Sequence, residues 1–277
     1  MEEALRMKEF RLTASPMETE WIYVPDVVYQ ESAGLTRRLQ CVIPCRRAWQ
    51  ADDRYPVVLF IPGAAWQRQE MYNNLPHLTM LARRGYAVVS VQVREAALAT
   101  YPAQLEDIRR AKDFLATLAA DFHLDMERVV LAGDSSGAHL ALMAALTGAC
   151  PVRGVIDLYG PTDMTLCGGP QSTSLLGLRD MRDDPEKAAS ASCSPSITPE
   201  RDIPPILIAH GLMDDIVPPE HSRRLRDRLL SCGKSCVTLW VDGAGHGDPF
   251  WWSEPMLSAM DDFMTGLWQC FPDRNVP

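Results

Sequence analysis

Arg128-Val129-Val130-Leu131-Ala132-Gly133-Asp134-Ser135-Ser136-Gly137-Ala138 begins as an apolar run and passes directly into a serine set between two glycines. A short apolar run bounded by glycine is the pattern of a strand buried on both faces. Glycines two places before and two places after a serine let the strand and a following helix pass at close range. The serine is then forced into a cramped backbone conformation that lifts its hydroxyl above the sheet. Ser135 is therefore a candidate nucleophile on a strand-turn-helix, and the rest of the chain has to supply its partners.

Outward from this stretch, strand and helix signals alternate. Ile22 to Gln30 and Thr36 to Ile43 are β-rich runs joined by Glu31-Ser32-Ala33-Gly34, the layout of an antiparallel hairpin. Continuous apolar runs follow at Val57 to Ile61 and Ala87 to Val91, with helical spacing at Leu75 to Arg84 between them and Gly85 as the stop. Leu105, Ile108, Ala111, Leu115 and Leu118 mark a helix within Gln104 to Phe122, and Ala138 to Leu146 continues as a helix after the serine. Further strands are expected at Gly154 to Leu158, Ile206 to Ala209 and Val237 to Val241, with helices at Glu220 to Leu230 and Met256 to Trp268. The expectation is an α/β fold: a mostly parallel eight-stranded sheet with an N-terminal antiparallel hairpin and helices on both faces. Right-handed crossovers then put the carboxyl ends of the parallel strands along one edge, where catalytic residues belong.

Asp163 to Pro204 breaks this rhythm, being rich in Gly, Pro, Ser and charge, with short helical hints at Leu175-Leu176 and Pro185 to Ala191. A segment of that length with weak regular structure inside a compact unit is commonly functional. Residues 163–204 are read as a cap-like insertion within one domain spanning 1–277, since no Pro/Gly/Ser-rich linker divides the chain.

Composition narrows the function classes. A net charge of −9 and a pI near 5.2 leave no broad basic surface for a phosphate backbone, so nucleic acid is not an expected partner. Met1 to Met7 is acidic and lacks the apolar core of a signal peptide, and no apolar run approaches a membrane span. A soluble, cytoplasmic protein is expected, with homo-oligomerisation left open. Eight cysteines without a secretory signal read as reduced thiols. The C-x-x-x-C pairs Cys41/Cys45 and Cys232/Cys236 have no nearby histidine and are wider than the usual zinc knuckle, so no metal is expected.

A serine hydroxyl needs a base, and the base an acid that fixes its tautomer. Of the six histidines, His77, His123, His139 and His221 fall on helices or helix ends, whereas His246 stands in Asp242-Gly243-Ala244-Gly245-His246-Gly247 directly after the last strand. Glycines on both sides let that loop carry the imidazole over the sheet edge. Asp214 and Asp215 follow the strand at Ile206 to Ala209, matching the chain order serine, acid, histidine. Only one of them should face His246, and Asp163 remains an outside candidate. An oxyanion needs preorganised backbone donors. Ser136 supplies one amide, and Pro62-Gly63-Ala64-Ala65-Trp66, after the strand at Val57 to Ile61, supplies others through Ala64 and Ala65. Trp66, Tyr159, Phe250 and Trp251 lie close in sequence to these elements and are candidate substrate-pocket residues.

These stretches together resemble the α/β-hydrolase superfamily, and within it the bacterial carboxylesterase branch of feruloyl-esterase-like and acetylxylan-esterase-like enzymes. The resemblance runs from about Tyr55 onward. It rests on Tyr55 to Phe60, Arg83 to Val89, Tyr101-Pro102-Ala103-Gln104-Leu105-Glu106-Asp107, Gly133 to Gly137, Asp157 to Asp163, His210 to Pro218 and Gly243 to Gly247. It implies that the acid is the aspartate of H-G-x-x-D-x-x-V-P, here Asp214, that Asp134 has a structural role, and that Arg94 and Asp107 form a structural ion pair beneath the site. It implies hydrolysis of small soluble esters through an acyl-serine, without a cofactor. The chain departs from the family's H-G-G-G-W, since Pro62, Ala64 and Ala65 replace the histidine and two glycines. An amidase or peptidase of the same fold is the enzymatic alternative, and the departure in the loop keeps open a ligand-binding protein on a retired hydrolase scaffold.

Overall fold

In a computed structural model, residues 20–32, 35–45 and 53–270 are described. The elements in chain order are β1 (Glu20–Ser32), β2 (Leu35–Cys45), β3 (Tyr55–Ile61), α1 (Leu75–Ala82), β4 (Ala87–Val91), α2 (Ala103–Thr117), β5 (Leu124–Asp134), α3 (Ser136–Leu146), β6 (Gly154–Leu158), α4 (Pro170–Leu176), α5 (Pro185–Ser190), β7 (Ile206–Gly211), α6 (Glu220–Ser231), β8 (Cys236–Val241) and α7 (Glu254–Cys270). They form one eight-stranded sheet in the order β1-β2-β4-β3-β5-β6-β7-β8. β1 and β2 pair antiparallel and the strands from β4 to β8 pair parallel, as expected, while β2 also joins β4 antiparallel. Residues 33 and 34 of the expected hairpin turn lie outside the described residues.

Continuous apolar strands are explained by what covers them. In β3, Val57, Leu59 and Ile61 point into a cluster with α2, α3 and α6, while Val58 and Phe60 point into a second cluster with α1 and α7. A strand with helices on both faces has no polar face to show, so period-two alternation disappears. All eleven residues of α3 are buried, because this helix lies between the sheet and residues 163–204. That segment holds α4, α5 and three short 3₁₀ turns, and its Met164, Leu175, Leu176, Ala188, Ala191, Cys193 and Ile197 join the same cluster as α3.

Some boundaries differ from the periodic reading. β5 starts at Leu124 rather than Val129, because Tyr55 and Pro56 pair with Leu124 and Asp125 before a register shift brings Val57 opposite Val129. α2 stops at Thr117, short of Phe122, and the chain turns back through His123 at φ 52°. Among the described residues no helix is long and apolar enough to cross a membrane.

Strand order decides which loops meet. β3 lies beside β5, with Ile61 opposite Gly133, so the loop after β3 rises next to Ser135. On the other side come β6, β7 and β8 in turn, which aligns the loops carrying Tyr159, Asp214 and His246 along the same edge.

Candidate active site

Ser135 sits between β5 and α3 with φ 50° and ψ −127°, a sparsely populated positive-φ conformation that costs an L-residue about 1–3 kcal/mol. Its N–H donates to Leu158 O at 2.9 Å, which ties the turn to the neighbouring strand. Glycine is obligatory beside it. A Cβ on Gly137 would stand 1.9 Å from Ile61 O, and one on Gly133 2.6 Å from the Gly137 backbone.

Ser135 Oγ lies 2.9 Å from His246 Nε2, and His246 Nδ1 lies 2.8 Å from Asp214 Oδ2. Asp214 is buried, and burial alone would raise its carboxyl pKa. Contacts from His210 and His246 and the N–H of Val217 outweigh burial and hold it well below the ordinary carboxylate value. An ionised carboxylate only accepts, so Nδ1 of His246 carries the proton, and Nε2 is left to accept from Ser135 Oγ–H. Oδ1 of Asp214 takes the N–H groups of Ile216 and Val217 at 3.0 and 2.8 Å, fixing its plane. Asp215 is exposed, and Asp163 binds Thr165 and Arg224 instead. Of the three candidate acids, the structure brings only Asp214 to His246.

The loop after β3 is organised differently from the expectation for its amides. Gly63 N–H donates to Asp134 Oδ1 at 2.7 Å, giving Asp134 a structural task although its buried carboxyl is pushed up by desolvation. Ala64 N–H and Trp66 N–H converge on Ser136 Oγ at 3.0 and 3.2 Å. The Ala64 amide is therefore engaged within the protein. Among the described residues no internal hydrogen bond is made by the N–H of Ala65 or of Ser136, the first residue of α3. Ala65 and Trp66 both have positive φ, 49° and 58°, and at position 65 the family's glycine would occupy that region without strain.

The aromatic candidates divide. Trp66 is buried, and its indole N–H donates to His139 Nδ1 at 3.1 Å, so it braces the loop and does not face a ligand. His139 is buried as well. Its Nε2 meets Ala191 O at 2.8 Å, and desolvation lowers its pKa to about 4, so it is the neutral imidazole, donating from Nε2 and accepting at Nδ1. Tyr159, at φ 46°, sets its ring edge-on to His246 at 4.9 Å. Trp251 is wholly buried and donates to Gly245 O at 3.1 Å. The expectation that Trp251 lines a pocket is corrected: a side chain with no exposed surface holds the histidine loop from below. Phe250 alone of the four keeps partial exposure.

Four functional contributions escaped sequence reasoning: the Ser136 hydroxyl, the neutral His139, the His210 imidazole beside Asp214, and Arg37. Arg37 Nε lies 3.2 Å from Asp107, to which Arg94 also donates from Nε and Nη2, making the expected pair a triad. Among the described residues no group of three or more His, Cys, Asp or Glu side chains is placed to hold a metal ion.

A family profile described as BD-FAE matches residues 47–229. The chain is 28% identical over 214 residues to Esterase LipC of Mycobacterium tuberculosis, covering 69% of this chain and 53% of that protein. It is 23% identical over 248 residues to isoprenylcysteine alpha-carbonyl methylesterase of Arabidopsis thaliana, covering 78% and 56%. The chain spans about half the length of such curated relatives. A truncated carbohydrate esterase from gut microbiota superposes with TM-score 0.80 at 25% identity, covering 92% of this chain and 99% of that one. Esterase B of Lactobacillus rhamnosis superposes with TM-score 0.74 at 20% identity, covering 93% and 88%.

Proposed function

The chain belongs to the BD-FAE family and has the α/β-hydrolase fold, and from that footing we propose that it is a serine carboxylic-ester hydrolase acting on small soluble esters. The observation that carries the proposal is the unbroken relay Ser135 Oγ, His246 Nε2, His246 Nδ1, Asp214 Oδ2, at 2.9 and 2.8 Å. Esterase names among the relatives support the same reaction class.

In this reading Ser135 Oγ attacks the ester carbonyl carbon while His246 Nε2 takes the hydroxyl proton. The negative charge that develops on the carbonyl oxygen is met by the N–H groups of Ala65 and Ser136. The engaged Ala64 amide holds the loop against Ser136 instead of serving as a third primary donor. The tetrahedral intermediate collapses, His246 Nε2–H protonates the departing alcohol oxygen, and an acyl-Ser135 remains. Water then gives its proton to His246 as it attacks the acyl carbon, and the second collapse returns the proton to Ser135. Asp214 stays ionised throughout and stabilises the imidazolium.

Residues 163–204 are assigned as a cap-like insertion of a single domain, supported by their burial in the cluster around α3 and by the Ala191 bond to His139. Phe250 is the aromatic residue we assign to substrate contact, together with the exposed Leu212, Met213 and Ile216 on the Asp214 loop.

The test is labelling by a fluorophosphonate alongside turnover of matched short-chain esters and amides. Labelling and ester turnover that vanish in Ser135→Ala support the proposal. Faster amide than ester turnover would assign an amidase. A wild-type protein that neither labels nor turns over would make this a non-catalytic binding protein.

A further inference from the structure

An acidic chain carries an arginine-lined groove beside the loop that serves Ser135. Two adjoining cavities of about 240 and 290 Å³ share Arg38, Arg68, Gln69 and Gln92, and the smaller one is also walled by Arg37 and Arg94. Among the described residues direct ion pairs are few there. Arg37 and Arg94 divide a single buried carboxylate, Asp107, with Glu106 3.7 Å from Arg94. The Arg37 side chain is only 9% exposed, yet its Nη1 has no hydrogen-bond partner. Among the described residues no carboxylate oxygen comes within 4 Å of Arg38 or Arg68. Glu95 lines the smaller cavity, and Asp26 and Glu70 the larger, where hydrogen bonds from Gln40 and Tyr72 hold Asp26 ionised. Glu95 is the one carboxylate lining the smaller cavity against four guanidiniums, and two of these, Arg38 and Arg68, are in no direct ion pair among the described residues.

The groove is fastened to the site. Gln69 Nε2 donates to Pro62 O at 2.8 Å, and Gln69 Oε1 accepts from Val93 N at 2.8 Å, which bolts the cavity wall to the start of the loop after β3. Arg68 is exposed and follows the exposed Ala65 by three residues, so their Cα atoms lie within about 11 Å of each other. A planar guanidinium fork matches a carboxylate through two parallel hydrogen bonds. The exposed Leu35 and Leu98 on the rim suit the carbon chain of an organic anion better than a bare ion.

We propose that this groove binds a carboxylate carried by the ester substrate at a distance from its scissile bond, making the protein selective for acidic esters. The inference rests on the esterase reading above and names its substrate class.

The test compares kcat/KM for monomethyl esters of α,ω-dicarboxylic acids, and for acetate esters of hydroxy acids, with neutral esters of equal length. Wild type is expected to favour one acidic series by about tenfold or more, chiefly through KM. Raising ionic strength from about 0.05 to about 0.5 M should shrink that preference. The double variant Arg38→Gln/Arg68→Gln should bring the acidic-to-neutral ratio close to one. Equal rates for acidic and neutral esters in wild type, or a ratio unmoved by the double variant, would overturn the inference while leaving the esterase reading intact. If neither ester is hydrolysed, the esterase reading fails, and calorimetry decides the groove separately. Adipate binding lost in the double variant supports a carboxylate site, whereas no adipate binding, or tighter binding of inorganic phosphate, overturns it.

Discussion

Replacing Gly137 by alanine adds one methyl group at the tightest backbone approach described in the molecule. Its Cβ would stand 1.9 Å from Ile61 O, 2.8 Å from Ile61 C and 2.9 Å from Pro62 C. Real Cβ contacts essentially never fall under 3.0 Å, so α3 and the end of β3 must separate by at least 1.1 Å, the difference between 3.0 and 1.9 Å. No flexible side chain can absorb that movement, because every contacted atom is backbone. Overpacking of this kind costs about 1–3 kcal/mol, and rigid neighbours favour the upper part of that range. At about 2–4 °C per kcal/mol, melting should fall by roughly 5–10 °C. The displaced segments carry the Ser136 and Ala65 amides and flank Ser135, and a misplacement near 1 Å lowers turnover by about 10²-fold. Gly266, inside α7 with nothing within 4 Å of where a Cβ would stand, is the matched control. Gly266→Ala should stabilise by about 0.5–1 kcal/mol and leave turnover alone. Calorimetric melting and steady-state hydrolysis of a short-chain ester read both variants. A Gly137→Ala protein melting within about 1 °C of wild type at full turnover would refute the claim that this elbow is rigid.

Asp214→Asn should fold normally but lose about 10⁴ in kcat, since an amide cannot enforce Nδ1–H on His246; a loss under about tenfold, read by steady-state kinetics, would disprove the assigned acid. His139→Ala orphans the Trp66 indole N–H and the Ala191 carbonyl, at about 1–3 kcal/mol for each buried group, and should lower both melting temperature and kcat with little change in KM. His139→Gln, which can accept and donate, should recover part of both, and equal damage in the two variants would argue against a positioning role. Burial pushes the Asp157 carboxyl up to about 7 from 3.8, against opposing contributions from the Gly160 N–H and His210. The folded state therefore binds more protons than the unfolded one between about pH 4 and 7, so this residue's contribution becomes destabilising as pH rises through that window, to an upper bound of about 4 kcal/mol. The melting temperature of Asp157→Asn minus that of wild type should grow from pH 5 to pH 8.5, and a constant difference would contradict the elevated pKa.

What the sequence made legible is what short-range chemistry encodes. Apolar runs bounded by glycine marked the strands, and glycine at 133 and 137 marked a turn that no Cβ permits. Chain order then placed an acid and a histidine on later strand ends, because parallel strands put those ends on one edge. Side-chain destinations were not encoded so locally. Trp66 and Trp251 read as pocket residues because aromatic groups suit pockets and cores alike, and only the bonds to His139 and Gly245 O separate the two uses. Arg37 precedes Asp107 by 70 residues and meets it only because β2 is placed beside β4, an antiparallel neighbour that a strand list does not specify.

The loop after β3 shows the same divide within one motif. Ala64 and Ala65 read as weakened substitutes for glycine, and their amides as equivalent donors. Ser136 separates them: its hydroxyl accepts from Ala64 and Trp66 on either side of Ala65, which holds Ala65 in a left-handed conformation that alanine would not choose. The strain that glycine would have avoided is carried by a side chain from the nucleophile's own helix. Loss of that hydroxyl should therefore act on the amide of Ala65 without removing any group that transfers a proton, and the departure from the glycine-rich pattern and the second serine of the elbow form a single device.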